Sequence, residues 1–537
     1  MSRPLALVLA LASASCVCVP SEPLHDIVIY GGTSGGVIAA VAAARAGRSV
    51  VLVEPSQHVG GMTSAGLGAT DIGNKRAIGG MAREFYRALR RHYDDPAAWT
   101  HERRAEYRGI GLKEGEDTMW AFEPHVAERL FEELLVGAAV RVERGARLDL
   151  ERGVEKDGTR ILSIASEDGR RFRGRIFIDA SYEGDLLALA GASFHVGREA
   201  NSTYGETLNG VQVANATKHQ FKVRVDPYVT PGRPESGLLP GISAEQPGPD
   251  GSEDARVQAY CFRLCATDLP ENRLPWPKPA DYDERRYELL LRNLEAGDSL
   301  APWHPLGMPN RKTDSNNNGA VSTDHIGANW DYATASWSER DAIVADHESW
   351  QKGLLWTLAN SPRVPAPIAE HFASFGLCKD EFVATGGWPH ALYIREARRL
   401  VGETVMTEHH CRGTHKVARP VGLAAYTMDS HNVQRHVDST GAVRNEGDVQ
   451  VGGFPPYGID YGALLSKRDE CSNLLVPVCL SASHIAYGSI RMEPVFMVLG
   501  QSCALAANLA LERSIDLHDL DYAELRSRLV AAGQVLQ

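Results

Sequence analysis

The strongest constraint in this sequence lies near its start, where Asp26 to Glu54 reads D-I-V-I-Y-G-G-T-S-G-G-V-I-A-A-V-A-A-A-R-A-G-R-S-V-V-L-V-E. Ile27 to Tyr30 is a short apolar run that stops at two glycines, Val37 to Ala46 has the small and apolar residues of a buried helix, and Val50 to Val53 is a second apolar run. The order is strand, turn, helix, strand. In such a unit the turn binds phosphate, because free backbone N–H groups and the positive end of the helix dipole converge on it. Gly31 permits the tight turn and Gly36 the close packing of helix on strand, as in a G-x-G-x-x-G fingerprint. Thr33 replaces the middle glycine. The adjacent Gly32 and Gly35 are expected to supply the slack that a pyrophosphate needs, with Ser34 beside them and the Thr33 hydroxyl as a further donor. Glu54 ends the second strand, where a carboxylate accepts both hydroxyls of an adenosine ribose; it argues against a 2′-phosphate and hence against NADP. An adenine dinucleotide is expected, with an ordinary βαβ turn as the alternative.

At 537 residues the chain exceeds what one core supports, so two or three substructures are expected. The net charge of −12 disfavours nucleic acid or an anionic membrane as partner. The first 24 residues differ in kind: Arg3 precedes the apolar run Leu5 to Ala12, followed by Ser13, Ala14, Ser15 and Cys16. This reads as an export signal with a small-residue cleavage site at Ala12-Ser13-Ala14. Lipid anchoring through Cys16 is a minority reading, since Ser13 stands where a larger aliphatic residue is usual, and an N-terminal membrane anchor is a third. Val495 to Leu511 is the other stretch nearest to a membrane span, but Gln501, Ser502 and Asn508 interrupt it. The nine cysteines form no C-x-x-C pair, so neither a zinc site nor a disulfide framework is indicated. Cys261 and Cys265, read on one strand, would lie about 13 Å apart, too far to bridge.

Beyond Glu54, the segment H-V-G-G-M-T-S-A-G-L-G-A-T-D (58–71) is a poor helix or strand and a good loop to lie flat on a ligand. Residues 81–93 and 125–137 read as amphipathic helices, Arg141 to Leu150 and Ile161 to Ala165 as strands of a meander, and 175–185 as a buried strand ending at Asp179. From about 200 to 390 prolines cluster and seven tryptophans appear, with one clear helix from Asp281 to Glu295; this reads as an inserted cap. Asp314 to Gly319, D-S-N-N-N-G, matches the first half of a calcium loop. His325 stands where the bidentate glutamate belongs, so an asparagine-stabilised turn is preferred. Near the end, Leu474 to Cys479 reads as a buried strand and Pro494 to Leu511 as a helix with proline in its first turn.

Taken together, Y-G-G-T-S-G-G, V-G-G-M-T-S-A-G, F-I-D-A-S-Y-E-G-D, Y-I-R-E-A-R-R and C-L-S-A-S-H-I-A-Y-G-S-I-R-M-E-P make the chain resemble the FAD-dependent oxidoreductase family of exported bacterial proteins, within the glutathione-reductase-like FAD-binding class. The resemblance implies an α/β fold, a Rossmann-like three-layer FAD-binding domain with an inserted α+β cap or substrate domain. Residues 25–200 and 391–537 would form the FAD-binding domain, the latter with a flavin-facing C-terminal helix, and 201–390 the cap. It also implies an extended FAD. Gly31, Gly32, Thr33, Ser34, Gly35 and Gly36 would take the pyrophosphate, Glu54 the ribose, and Gly60, Gly61 and Met62 the ribityl and flavin region. Asp179, Ala180, Ser181 and Gly184 would flank the far side of the diphosphate, Leu148 the adenine, and Ser489 and Pro494 the flavin. A helix starting at Pro494 turns free N–H groups and partial positive charge toward the reduced ring, which agrees with the residue-level reading.

Oxidation of a C–H bond by flavin needs a proton acceptor near the reacting carbon and an anchor for the substrate. His484, between the buried strand and the flavin helix, is the first choice for proton transfer, and Arg491 for substrate or flavin, with a structural ion pair to Glu493 or another acid as its alternative. Arg395 and His431 are further candidates, expected at the cleft between cap and flavin sheet, with a structural role as the preferred reading of both. His409 and His410 are adjacent and converge poorly on one ion, so no metal is assigned. The reading is an exported FAD enzyme that takes a hydride from a small organic substrate and passes electrons to oxygen, a quinone or a redox protein. The alternatives are an NAD-dependent dehydrogenase and a non-catalytic exported module that binds glycans through the tryptophan-rich middle.

Overall fold

The computed structural model describes residues 22–537 except 110 and 112–114, so nearly all of the leader reading lies outside the described residues. Strand β1 (Leu24–Tyr30), helix α1 (Ser34–Arg45) and strand β2 (Val50–Val53) form the opening βαβ unit, with Ile29 opposite Leu52 in parallel register. Helices α2 (Gly80–Asp94) and α3 (Pro124–Gly137) follow, and β3 (Arg141–Glu143) adds to the free edge of β2. The chain then turns through β4 (Val154–Asp157) and β5 (Arg160–Ala165) into β6 (Arg171–Asp179), which returns alongside β1 with Ile178 opposite Ile29. The first half of β6 pairs with β5 and its second half with β7 (Leu474–Leu475), so a segment 300 positions away in sequence completes the same sheet.

The two faces of this sheet follow the period of two along β1. Ile27 and Ile29 pack toward α1 and helix α4 (Glu493–Arg513), whereas Val28 and Tyr30 pack toward Phe172, Phe177 and Leu186. Helix α4 is long and apolar enough to cross a membrane, with a mean hydropathy of 1.6, but 94% of that stretch is buried inside the fold. Its closest neighbour is α1. A Cβ on Gly500 would lie 2.1 Å from the Gly35 carbonyl oxygen, and one on Gly35 would lie 2.8 Å from that of Phe496. The two backbones therefore touch, which only glycine at both positions allows.

The cap has its own five-stranded antiparallel sheet, in the order Trp303–Met308, Lys312–Asn317, Cys265–Thr267, Gly376–Cys378 and Arg273–Leu274. Helices Glu288–Glu295, Trp337–Asn360 and Ala366–Ser374 accompany it. Trp276, Trp303, Trp350 and Trp388 are buried in this core, which leaves them unable to present the glycan-stacking surface considered above. Buried ion pairs join cap to sheet domain: Arg340 to Asp185 at 2.6 Å, and Lys312 to Glu123 at 2.8 Å.

Several expectations need correction. Asp314 to Gly319 is neither a calcium loop nor an asparagine turn: Lys312–Asn317 is a strand, and Asp314 is held by Arg263 at 2.6 Å and by the Ala69 N–H. The helix from Asp281 reduces to a 3-10 turn at Glu284–Tyr287 followed by Glu288–Glu295. The long strands read at Arg141 to Leu150 and Leu474 to Cys479 shorten to Arg141–Glu143 and Leu474–Leu475, with Leu148 making a single bridge to Ser166. Although no disulfide was indicated by spacing, Cys265 and Cys378 face each other across two adjacent antiparallel strands, with sulfurs 3.7 Å apart. Residues directly opposite in such a pair have Cα atoms about 4.5–5.5 Å apart, within the range a disulfide spans.

Two tests follow from this packing. Gly500→Val pushes a branched side chain into α1 and is expected to lower unfolding free energy by about 1–3 kcal/mol or more, measured by denaturant titration. Incubation of the folded protein with oxidised glutathione is expected to remove two titratable thiols in the native chain and none in Cys378→Ser, as counted by thiol titration under denaturing conditions.

Candidate functional site

The turn after β1 is built for close backbone approach. Gly31 adopts φ +98°, and a Cβ there would lie 2.6 Å from the Ser181 nitrogen, so β1 and β6 end side by side with no room between. Thr33 is the N-cap of α1: its hydroxyl accepts the Gly36 N–H at 3.2 Å and donates to the Ala180 carbonyl at 2.8 Å. The Thr33 hydroxyl is thus spent on holding the turn, not free to donate to a diphosphate as expected. Glu54 accepts the Gly32 N–H at 2.5 Å and the Ser56 N–H at 2.7 Å, and burial raises its pKa above the usual carboxylate value. The starts of α1 and α4 meet here, with the Ser34 hydroxyl 3.4 Å from the Glu493 carbonyl. Two positive helix ends therefore converge on one place.

A cavity of about 270 Å³ opens from this turn. Of the residues expected at the cofactor, Gly31, Gly32, Thr33, Glu54, Gly61 and Ser181 line it. Gly35 and Gly36 lie beneath it as packing positions, and Gly60, at φ +100°, shapes the loop behind it. Met62 is fully buried, and its N–H already donates to the Tyr182 hydroxyl at 2.9 Å. Others face elsewhere. Asp179 accepts from Ser181 and from the Leu187 N–H, and burial pushes its pKa up to about 6. It closes the turn after β6, and so does not face a diphosphate. Gly184 starts the short helix Asp185–Leu189. The Leu148 N–H donates to Tyr30 and its carbonyl accepts from the Trp337 indole, so both of its polar groups are taken. The Ser489 hydroxyl is bound between Tyr426 and Tyr457, away from the cavity. Pro494 occupies the first turn of α4 as expected from its missing N–H.

The sequence reading missed the outer wall. Trp337, Arg340 and Asp341 line the cavity from the first turn of the cap helix Trp337–Asn360. Trp337 lies between the Arg147 and Arg340 guanidiniums, at 4.9 and 5.1 Å from its ring. A signal was present: Ser336 and Glu339 form a capping box, S-x-x-E, directly before this helix. Its polar first half hid the apolar second half from a search for periodicity.

On the far side of the cavity the chain alternates. Leu392 and Ile394 line the cavity, while Tyr393 and Arg395 reach into a buried polar cluster. Arg395 binds Asp324 at 2.9 Å, Asp324 binds His431 Nδ1 at 2.6 Å, and His431 Nε2 lies 3.6 Å from Asp429. Asp429 pairs with Arg491 at 3.1 Å, and Arg491 donates to the Tyr393 hydroxyl at 2.9 Å. Three of the four residues expected for the chemistry thus share one cluster. Arg491 pairs with Asp429, another acid as its structural alternative allowed, while Glu493 binds Thr63 and Tyr182. Burial and Arg395 press the His431 pKa down, but Asp324 and Asp429 outweigh them and hold it above the usual histidine value. Burial raises Asp429, yet His431 and Arg491 bring it down to about 2. The Nε atoms of Arg395 and Arg491 are buried without a partner among the described residues.

His484 is placed differently. Its Nδ1 is 2.7 Å from Glu396, its Nε2 is 2.9 Å from the Ser430 hydroxyl, and it is 2% exposed, so both nitrogens are occupied. Burial, with the nearby Arg399 and Arg198 charges, pushes its pKa down to about 3. His484 joins Glu199, Glu396 and Arg399 in a network that braces the cluster from behind.

These observations fit the group expected from the sequence. The glycine cradle, the buried Glu54 and the paired helix ends match an adenine dinucleotide with an anionic diphosphate. Over residues 26–529 the chain matches the family described as FAD dependent oxidoreductase, and it belongs to that family. FAD is the cofactor that membership of this family indicates, in place of the NAD of the first alternative. No curated protein matches it. Among solved structures, a flavin monooxygenase mutant from Stenotrophomonas maltophilia is 18% identical over 29% of this chain and 37% of its own, with a TM-score of 0.19. The 3-ketosteroid-delta4-(5alpha)-dehydrogenase from Rhodococcus jostii RHA1 is 18% identical over 34% of this chain and 50% of its own, at 0.20. A triple mutant of the flavin-dependent brominase Bmp2 is 9% identical over 94% and 84%, at 0.36. The chain thus spans about a third to a half of the length of the first two.

His484 gives a pH test with a definite sign. Between its ordinary value of 6.5 and about 3 the unfolded chain binds a proton that the folded chain refuses, so stability is lost as pH falls through that window. His484→Gln removes this proton uptake and is expected to flatten the fall in Tm between pH 6.5 and 3. Trp337→Ala is expected to weaken FAD binding about three- to tenfold, followed by flavin fluorescence.

Proposed function

We propose that this chain oxidises a small organic substrate by hydride transfer to FAD, with the Arg395–Asp324–His431–Asp429–Arg491 cluster as the substrate-handling site. The single observation that carries this reading is that cluster, separated from the cofactor cavity by Leu392 and Ile394 of one extended segment. FAD, held by the glycine turn and the two helix ends, would supply the two-electron acceptor for the hydride. The chain's own residues do the rest. Arg395 and Arg491 orient an oxygen of the substrate, since each keeps one buried N–H without a partner. His431 takes the substrate proton at Nε2, its one ring nitrogen without a hydrogen bond, while Asp324 fixes the tautomer through Nδ1. Proton transfer is thereby reassigned from His484, which acts as a brace.

In this reading residues 25–200 and 391–537 serve the cofactor, 201–390 form the cap, and the chain is exported under direction of its first 24 residues. Electrons leave to oxygen, a quinone or a redox protein. Fractionation of cells producing the full chain checks export, which fails if the protein stays with the cytoplasmic fraction at full length.

The experiment is anaerobic mixing of holoprotein with a substrate library while flavin absorbance is followed. His431→Asn and Arg395→Lys are expected to slow flavin reduction about a hundredfold or more at unchanged FAD content. Because His431 must be unprotonated to act as base and its pKa is raised, the native rate is expected to climb with pH at values above 6.5. Unchanged rates in both variants would discard the assignment.

A further inference from the structure

A second cavity, of about 300 Å³, lies in the cap. Arg286, His325, Asp346 and Arg435 supply its polar lining, with Trp350 and Leu289 among its apolar walls. Arg435 also lines a smaller cavity of about 170 Å³ beside it. What sets this place apart is the state of Arg435. The other large buried guanidiniums each face a carboxylate: Arg198 faces Glu446, Arg263 Asp314, Arg340 Asp185, Arg395 Asp324 and Arg399 Glu199. Arg435 is 5% exposed, and among the described residues it pairs with no acid. It donates only to neutral oxygens, those of the Asn445 side chain at 2.9 Å and the Ala320 and Gly241 carbonyls at 3.1 and 3.5 Å.

The charges around the cavity do not cancel. Asp346 is the one acid in the lining, and it already pairs with Arg286 at 2.7 Å and with His325 at 3.0 Å. The Arg435 charge is left over. A buried cation without a counter-ion is unfavourable by several kcal/mol, and folds rarely keep one unless something neutralises it. The His325 ring stacks on Trp350 at 4.4 Å and 5°, which makes a flat wall next to that charge.

We infer that this cavity is a binding site for a small organic oxyanion, a carboxylate or a phosphate ester, with its charged end on Arg435 and its carbon frame against Trp350 and Leu289. The planar guanidinium fork matches both oxyanions in a bidentate manner. The site stands apart from the cofactor cavity, yet His325 directly follows Asp324, which holds His431 and Arg395. An occupant would rest on the same segment that positions the substrate-handling cluster.

The test needs no turnover and so is independent of the proposed reaction. Holoprotein is titrated by calorimetry with benzoate and, separately, with inorganic phosphate. Saturable one-to-one binding of at least one anion is expected, weakened about tenfold or more in Arg435→Gln. Ala328→Phe, which fills the cavity while keeping Arg435, is expected to abolish it, and Arg491→Lys, at the substrate-handling cluster, to leave it intact. Binding of benzoate alone identifies a carboxylate ligand, and binding of phosphate alone a phosphoryl ligand. Failure of both anions to bind, or binding that survives both Arg435→Gln and Ala328→Phe, overturns the inference.

Discussion

The contact between Gly35 of α1 and Gly500 of α4 is the constraint on which the rest of this molecule depends. It joins two helices more than 450 residues apart in sequence at backbone distance and brings their amino ends together, Ser34 beside Glu493. Partial positive charge from both helices then falls on the same turn. Without that approach the glycine turn would be an ordinary phosphate loop, and the segment before α4, which contains Arg491, would not reach the neighbourhood of Leu392 to Arg395.

Electrostatics in this fold is arranged in layers. Nearest the cofactor cavity stand backbone dipoles and one buried acid, Glu54. Behind Leu392 and Ile394 comes the cluster of alternating acids and bases that ends in two partnerless Nε atoms. Behind that lies the His484, Glu396, Arg399 and Glu199 network, in which every ring nitrogen of the histidine is taken. A fully satisfied network rigidifies, whereas a network with open valences is ready to receive a ligand. That difference separates His431 from His484 although both are buried histidines that flank the same terminal segment.

The cap contributes more than a lid. Its long helix begins at the cofactor cavity with Trp337 and Arg340, and Arg340 is anchored across the boundary on Asp185 just after β6. Cap position and cofactor grip are therefore linked through one buried ion pair, whose rupture would leave an uncompensated charge inside the protein. The same segment carries Asp324 to Arg395 and His431 and His325 toward the second cavity.

Local sequence was enough wherever one short segment fixes its own conformation. The opening βαβ unit, α2, α3 and the start of α4 at Pro494 were legible because turn glycines, apolar period and the proline each act within a few residues. A dinucleotide cradle was legible for the same reason, since it is made from contiguous backbone, whereas FAD itself followed from the resemblance carried by motifs spread along the chain. Tertiary structure alone decided the chemistry of side chains. Asp314 looked like the start of an asparagine turn until its segment paired as a strand and Arg263 was brought against it, Thr33 looked like a phosphate donor until β6 ended beside it, and His484 looked reactive until Glu396 and Ser430 took both its nitrogens. Residue type states what a group can bind; which partner arrives first is set by contacts between segments hundreds of residues apart, and no local pattern records them.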